Sequence, residues 1–467
     1  MGRRAKRAGE WTVVSFGNAR HQKPGRLGPT QQHSGEPARR GVGDEAGLDR
    51  CEPGDSGKAL LERALRRENM VMAWKRVKAN GGSAGADGLS IADTVEHLKT
   101  HWPPIREALL SGTYWPTPVR RVMIPKSDGT ERELGIPTVT DRLIQQALLQ
   151  VLQPLIDPTF SDHSYGFRPG RRAHDAVRRA QGYLQAGRGI VVDVDLEKFF
   201  DRVHHDVLMD RLEKRISDPA VLKLIRRYLR AGVMMNGVVQ QRHEGTPQGG
   251  PLSPLLANVL LDEVDRELER RGHCFVRYAD DCNVYVRSQR AGERVMAGLR
   301  KLYGTLKLTI NDAKSAVAIA VTRKFLGFSF YTTAGMVKRR VSPKALQAYK
   351  ARIRQLTRRS GGRSIEQVVE RLRTYVLGWK GYFQLSQTPS VFRDLDGWLR
   401  HRLRALHLKQ WKRGSTMFAA LRRLGASPSD ALAVASNARC WWKNSRMHLN
   451  RALPLAYFDR LSVPRLA

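Results

Sequence analysis

Apolar positions recur along the chain in two periods, and the pattern changes near residue 335. Before that point helices and strands are mixed. Residues 60–77 predict a helix, and the glycine-rich run 80–88 predicts a turn after it. Residues 119–125 and 131–136 alternate as paired strands around a turn at 127–129. A long helix is predicted over 141–156, where Leu143, Ala147, Leu148 and Val151 share a face. Strands are predicted over 189–196 and 325–331, helices over 204–232, 255–270 and 291–306, and a hairpin from 275–278 and 282–286. Beyond 335 the period is helical. Ser342-Pro343 suits a helix start, with Leu346, Tyr349, Ile353 and Leu356 forming its stripe. Ser364 and Gln367 have capping-box spacing ahead of Ile365, Val368, Val369, Leu372, Val376 and Trp379. Phe392, Leu395, Leu399, Leu403 and Leu406 make a third stripe, with Arg400 and Arg404 expected on the opposite, outer face. The expected class is α+β, followed by a helical region.

Charge changes the picture. The 467 residues carry 81 Lys+Arg against 44 Asp+Glu, a net +37. A balance this basic points to a polyanion, with nucleic acid the leading partner. Residues 1–57 read as a disordered tail, rich in Gly and Arg, yet they hold only 10 basic and 7 acidic residues, net +3. Residues 337–423 hold 22 basic and 4 acidic, net +18. The charge therefore belongs to the helical region. No apolar run approaches the ~18–20 residues of a membrane span, so no membrane partner is expected. Four cysteines without a CxxC pair fit neither a disulfide scaffold nor a zinc module.

The candidate chemistry is a set of carboxylates. In Val191-Val192-Asp193-Val194-Asp195-Leu196, alternation places both aspartates on one strand face. In Phe275 to Val286, two β-rich arms flank the acidic turn Ala279-Asp280-Asp281. Side-by-side carboxylates repel unless neutralised, and a divalent cation is the natural partner. The pattern alone leaves open which of Asp193 and Asp195 is the functional carboxylate.

Tyr278-Ala279-Asp280-Asp281 resembles the YxDD box of reverse transcriptases, in the alanine form of group II intron-encoded proteins. The resemblance runs in order along the chain. Ile124-Pro125-Lys126 with Arg132-Glu133-Leu134-Gly135-Ile136-Pro137 resembles the fingers motif, and Tyr165 to Arg171 the block that follows it. Asp195 to Asp201 is similar to palm motif A, and Gly245 to Pro254 to motif B. Leu308 to Lys314 resembles motif D, and Phe325 to Phe328 the primer grip.

This resemblance implies a right-hand polymerase fold, with fingers and palm around an antiparallel sheet and an α-helical thumb/maturase domain behind. The implied layout is an N-terminal extension and start of fingers over 58–118, fingers and palm over 119–335, thumb/maturase over 336–413 and a short extension over 414–467. It implies that Asp195, Asp280 and Asp281 are catalytic and, with the Leu196 carbonyl, hold two Mg²⁺ ions. Lys126, Arg132, Phe200, Gln248 and Lys314 would bind the dNTP. Phe200 would exclude a ribose 2′-hydroxyl, and Lys314 would protonate pyrophosphate. Arg168, Arg171, Arg352, Arg400, Arg404 and Lys412 would contact RNA or template–primer.

The implied function is RNA-directed DNA polymerisation together with splicing of a group II intron RNA. The implied partners are that RNA, an RNA template with DNA primer, and target DNA. A domesticated relative in DNA repair or defence, and a splicing-only maturase, are the alternatives. The paired CxxC motifs of the endonuclease module are not in the sequence, so second-strand cleavage is not expected. A bacterial, nucleoid-associated cytoplasmic location is expected, although the Arg-rich residues 1–26 have some character of an organellar presequence.

Overall fold

A computed structural model describes residues 59–125, 131–235, 238–240, 244–246 and 249–467. The expectations for the tail 1–57, the turn 127–129, Lys126 and Gln248 fall outside the described residues.

The first predicted helix is two, α1 (Ala59–Ala64) and α2 (Arg67–Asn80). Asn69 explains the break: its amide donates to Ala64 O at 2.7 Å and to Ala147 O at 3.1 Å. A capping box between Ser90 and Asp93 opens α3 (Ile91–Leu110). Strands β1 (Val119–Pro125) and β2 (Glu131–Ile136) pair antiparallel, with Ile124 opposite Arg132. Helix α4 (Val139–Ile156) is capped by Thr138 and buried on most of its faces. Then come α5 (Ala173–Gln185), β3 (Ile190–Val194), α6 (His205–Glu213), α7 (Pro219–Arg230), β4 (Val233–Met235), β5 (Val238–Gln240) and α8 (Ser253–Arg270). The hairpin β6 (Cys274–Tyr278) and β7 (Asp281–Val286) follows, then α9 (Gln289–Thr305) and β8 (Ala316–Ile319).

These strands make two four-stranded sheets, ordered β2-β1-β4-β5 and β6-β7-β3-β8. The second is antiparallel throughout and has a core on each face. Val192, Val194, Phe275, Cys282 and Val284 pack on α4, α6, α7, α8 and α9. Val191, Val276 and Tyr285 face α5 and the helices beyond residue 340. Period-2 alternation sorts these side chains between two apolar layers, which is why both sets are hydrophobic.

The predicted strand 325–331 is interrupted. It forms β9 (Lys324–Phe325) and β10 (Phe328–Thr333), which pairs with β11 (Met336–Val341). Leu326 (φ 49°) and Gly327 (φ 80°) reverse the chain in the left-handed region. The Tyr382 hydroxyl donates to Leu326 O at 2.9 Å, tying this reversal to the helices.

The helical region comprises α10 (Pro343–Leu356), α11 (Ile365–Phe383), α12 (Pro389–Trp411), α13 (Gly414–Arg423), α14 (Pro428–Ser436), α15 (Trp441–Arg446), α16 (His448–Ala452) and α17 (Leu455–Arg460). Its caps form as the sequence expects, at Ser342 and in the Ser364–Gln367 box. The outer face expected for α12 is an inner one. Asp396, Arg400, Arg404 and His407 lie a third of a turn from the leucine stripe and are buried. Arg404 donates to Leu453 O at 2.9 and 3.1 Å, and Arg400 pairs with Asp396 at 3.2 Å. Asp396 also accepts the amide N–H groups of Leu466 and Ala467 at 3.0–3.1 Å. Tyr457 Oη lies 2.9 Å from His407 Nε2. A polar seam thus fastens residues 449–467 to α12, in one core with 343–411.

Asp396→Ala strips two amides of their acceptor and leaves Arg400 buried without its partner. Breaking one side of a buried pair costs about 3–5 kcal/mol, so we expect a loss in that range by urea denaturation. Hydrogen exchange at Leu466 should accelerate beyond that at Leu399.

Candidate active site

Register assembles the site. β7 lies between β6 and β3, with Tyr278 opposite Asp281 and Val194 opposite Cys282. Asp195, one residue past β3, therefore lies beside the hairpin turn formed by Ala279 and Asp280. Ala279 has φ 58°, a conformation that costs a side-chain-bearing residue and occurs where the surroundings enforce it. The strand that brings in Asp195 is fastened on its other side. Its amide donates to Ser315 Oγ at 3.0 Å, its carbonyl accepts from the Asn311 amide at 2.8 Å, and Leu196 bridges Ile310.

Electrostatics distinguish the four acids. Burial, then the charge of Asp195, pushes the Asp280 carboxyl above its ordinary value, against relief from Arg132 and Arg277. Burial, then Asp193, Asp280 and Asp195, pushes Asp281 up to about 8. Asp193 is committed to protein. Arg323 donates to its Oδ2 through Nε at 2.8 Å and Nη2 at 2.6 Å, and Asn283 lies 3.0 Å from Oδ1 with its amide turned to donate. Asp195 keeps 43% of its side chain exposed, with Lys314 Nζ 3.6 Å away. Among the described residues no three His, Cys, Asp or Glu side chains close on a common point. An open set of hard oxygen donors that repel one another nonetheless fits Mg²⁺, which takes one or two carboxylates and draws its remaining ligands from water and phosphate.

The nucleotide-side candidates gather unevenly. Arg132 is exposed on β2, and its charge reaches Asp280. Phe200 is half-buried against Phe199, with its carbonyl accepting the Thr246 amide at 2.7 Å. Gly249 (φ 144°) sits where a Cβ would stand 2.6 Å from Gly135 O, so the loop before α8 passes directly over β2. Sequence reading missed what holds the turn from behind. Gly166 lies so close that a Cβ there would stand 2.2 Å from Ala279 N. Arg323, which clamps Asp193 and donates to Lys314 O at 2.8 Å, was also missed; an arginine after a helical turn carries no signal of its own.

Residues 124–330, which span this whole arrangement, match the family model "Reverse transcriptase (RNA-dependent DNA polymerase)". Residues 346–425 match "Group II intron, maturase-specific domain". Over these two stretches the chain is similar to the reverse transcriptases and maturases of group II introns. It is 41% identical over 192 residues to Protein YkfC of Escherichia coli, across 40% of this chain and 50% of that protein. Identity to the group II intron-encoded protein LtrA of Lactococcus lactis subsp. cremoris is 37% over 215 residues, across 44% and 34%. Nuclear intron maturase 1, mitochondrial, of Arabidopsis thaliana is 28% identical over 202 residues, across 31% and 27%. The matches span half or less of these relatives' length.

Within the maturase-specific match the RNA candidates need correcting. Arg400 and Arg404 are spent in the α12 seam. Arg168, earlier in the chain, is likewise buried, bonded to Asp157 and to the carbonyls of Ser161 and Ser164. These guanidiniums satisfy buried acceptors and cannot reach a phosphate. Arg171 pairs with Asp162 at 2.5 Å, Arg352 is half-buried beside Gln355, and Lys412 is exposed. The uncompensated cations lie elsewhere. Arg354 and Arg402 stack on Trp398 at 5.6 and 5.5 Å, and Arg359 on Trp441 at 3.3 Å. None has an ion-pair partner among the described residues, and Trp442 beside them is exposed, with its ring tilted against His401. Arg354 and Arg359 lie in the stretch 337–363 and Arg402 in the stretch 397–423, neither of which contains an Asp or Glu.

Gly166→Ala forces backbone against backbone behind the turn. Overpacking of this kind typically costs about 1–3 kcal/mol, and we expect that loss in chemical denaturation, with the near-ultraviolet signal of the folded chain retained. Gly170→Ala, where a Cβ meets nothing within 4 Å although φ is 72°, should cost less.

Proposed function

We propose that the chain is an RNA-directed DNA polymerase that binds group II intron RNA, assists its splicing and copies it into cDNA. The observation that carries this reading is that Asp195 lies beside the hairpin turn carrying Asp280 and Asp281, at the end of one antiparallel sheet inside the reverse transcriptase match. In this reading 58–118 are the N-terminal extension and start of fingers, 119–335 the fingers and palm, 336–413 the thumb/maturase domain and 414–467 a C-terminal extension.

Asp195, Asp280 and Asp281, with the Leu196 carbonyl, would hold two Mg²⁺ ions. When bound, the ions supply positive charge for the attacking 3′-hydroxyl and the departing pyrophosphate. The protein's own groups do the rest. Arg132 offers a planar, two-pronged donor to the triphosphate at the β2 edge, and Lys126 is the second cation proposed for it. The half-buried Phe200 ring walls the sugar side. Lys314, held near Asp195, is placed to give a proton to the leaving group. Gly249 brings backbone close to the new base pair, and Gln248 is proposed as a dNTP contact. The stacked arginines 354, 359 and 402, with Trp442, give phosphate and base contacts to structured RNA.

Asp280→Ala and Asp281→Ala should each cut primer extension on an RNA template at least about 100-fold, because metal stabilisation is worth several kcal/mol and each ~1.4 kcal/mol is tenfold. Splicing support should survive both changes. Undiminished extension would refute the active-site reading.

RNA binding should weaken steeply with salt. Arg354→Ala with Arg359→Ala should lower the slope of log K against log salt by about 0.7–0.9 for each phosphate no longer neutralised, measured by filter binding.

A further inference from the structure

Beneath the turn lies a charged pair that the polymerase reading does not use. Arg277 and Asp265 are both fully buried. A buried ion pair is seldom more stabilising than apolar residues of the same volume, so its presence asks for another reason. The hydrogen bonds supply one. Arg277 Nε donates to Asp265 Oδ1 at 2.8 Å, and Nη2 to Oδ2 at 2.6 Å. Its third nitrogen, Nη1, donates to Ala279 O and to Asn258 Oδ1, both at 2.9 Å.

Ala279 O belongs to the peptide unit that leads into Asp280, and Ala279 is the residue held in the left-handed region. That carbonyl is therefore pinned where the backbone is least comfortable. The pin is anchored on α8, where Asn258 and Asp265 lie two turns apart on one face. Asn258 in turn donates through Nδ2 to Gly166 O at 2.9 Å, closing the frame around the turn. Only a guanidinium can hold a carboxylate with two prongs and still send a third donor elsewhere; a lysine ammonium is a point charge.

We propose that Arg277 is a positioning residue: locked by Asp265 and Asn258, it fixes the Ala279–Asp280 peptide and so aims the Asp280 carboxylate. This rests on the reading of Asp280 as catalytic. Because α8 starts three residues after Gly250, the same frame ties the nucleotide-side loop to the catalytic turn.

The test uses the full chain and two variants. Arg277→Met with Asp265→Leu removes both charges at similar volume, so the fold should persist. Arg277→Lys keeps the charge but not the third donor. In both we expect template–primer affinity and the KM for dNTP within about twofold of the parent, and kcat lower by about 10- to 100-fold, the scale of a misplaced reacting group. Hydrogen exchange at residues 279–281 should quicken while that of α9 does not. A folded variant of either kind with parental kcat and parental exchange at the turn overturns the proposal. If the parent itself extends no primer, the polymerase reading fails, and exchange at the turn alone still decides the positioning role.

Discussion

Like charge, held close, is the constraint around which this molecule is arranged. Four aspartates crowd the end of one sheet, and burial together with mutual repulsion raises three of them above their ordinary carboxyl range. The surrounding chain answers each differently. Asp193 is neutralised permanently by Arg323. Asp195 is left half-open beside a long-stemmed lysine. Asp280 is relieved by a backbone hydrogen bond and by the charges of Arg132 and Arg277, and Asp281 by the charge of Lys324. The outcome is a local surplus of negative charge in a protein of net +37, and that surplus suits divalent cations.

Much of this was legible in the sequence because it depends on short-range pattern. The β1–β2 strands have the predicted bounds, and the acidic hairpin differs by one residue on each arm, since alternation and turn residues determine both. What escaped depends on tertiary partners. Helix α5 and strand β11 are amphipathic or basic segments whose buried faces are completed by each other, by the sheet and by the helices that follow. The α12 seam is the clearest failure. Arg400 and Arg404 beside a leucine stripe look like a solvated face, and no local signal announces that the Leu453 carbonyl will take up Arg404 or that Leu466 and Ala467 will close over Asp396, the partner of Arg400. Gly166 read as part of a motif, whereas its role is to let two backbones touch.

The same distinction separates the two kinds of arginine. Buried guanidiniums at 168, 277 and 404 satisfy backbone carbonyls and carboxylates from other parts of the chain, and that at 400 pairs with Asp396 on its own helix. Those at 354, 359 and 402 lie against tryptophan rings and have no carboxylate partner among the described residues. Composition counts both kinds alike. Only burial tells structural cations from those available to a polyanion, and the excess charge therefore overstates the binding surface.

The α12 seam also bears on the order in which the chain can fold during synthesis. Every strand of the carboxylate-bearing sheet has been made by residue 319, and the core on its α8 and α9 side needs nothing later. The helical core is different. Asp396 has no amide donors until Leu466 and Ala467 have left the ribosome, and Arg404 waits for Leu453. At ~5–20 residues per second the seam stays open for several seconds after α12 is complete. The stretch richest in cations thus closes later than the sheet that carries the carboxylates.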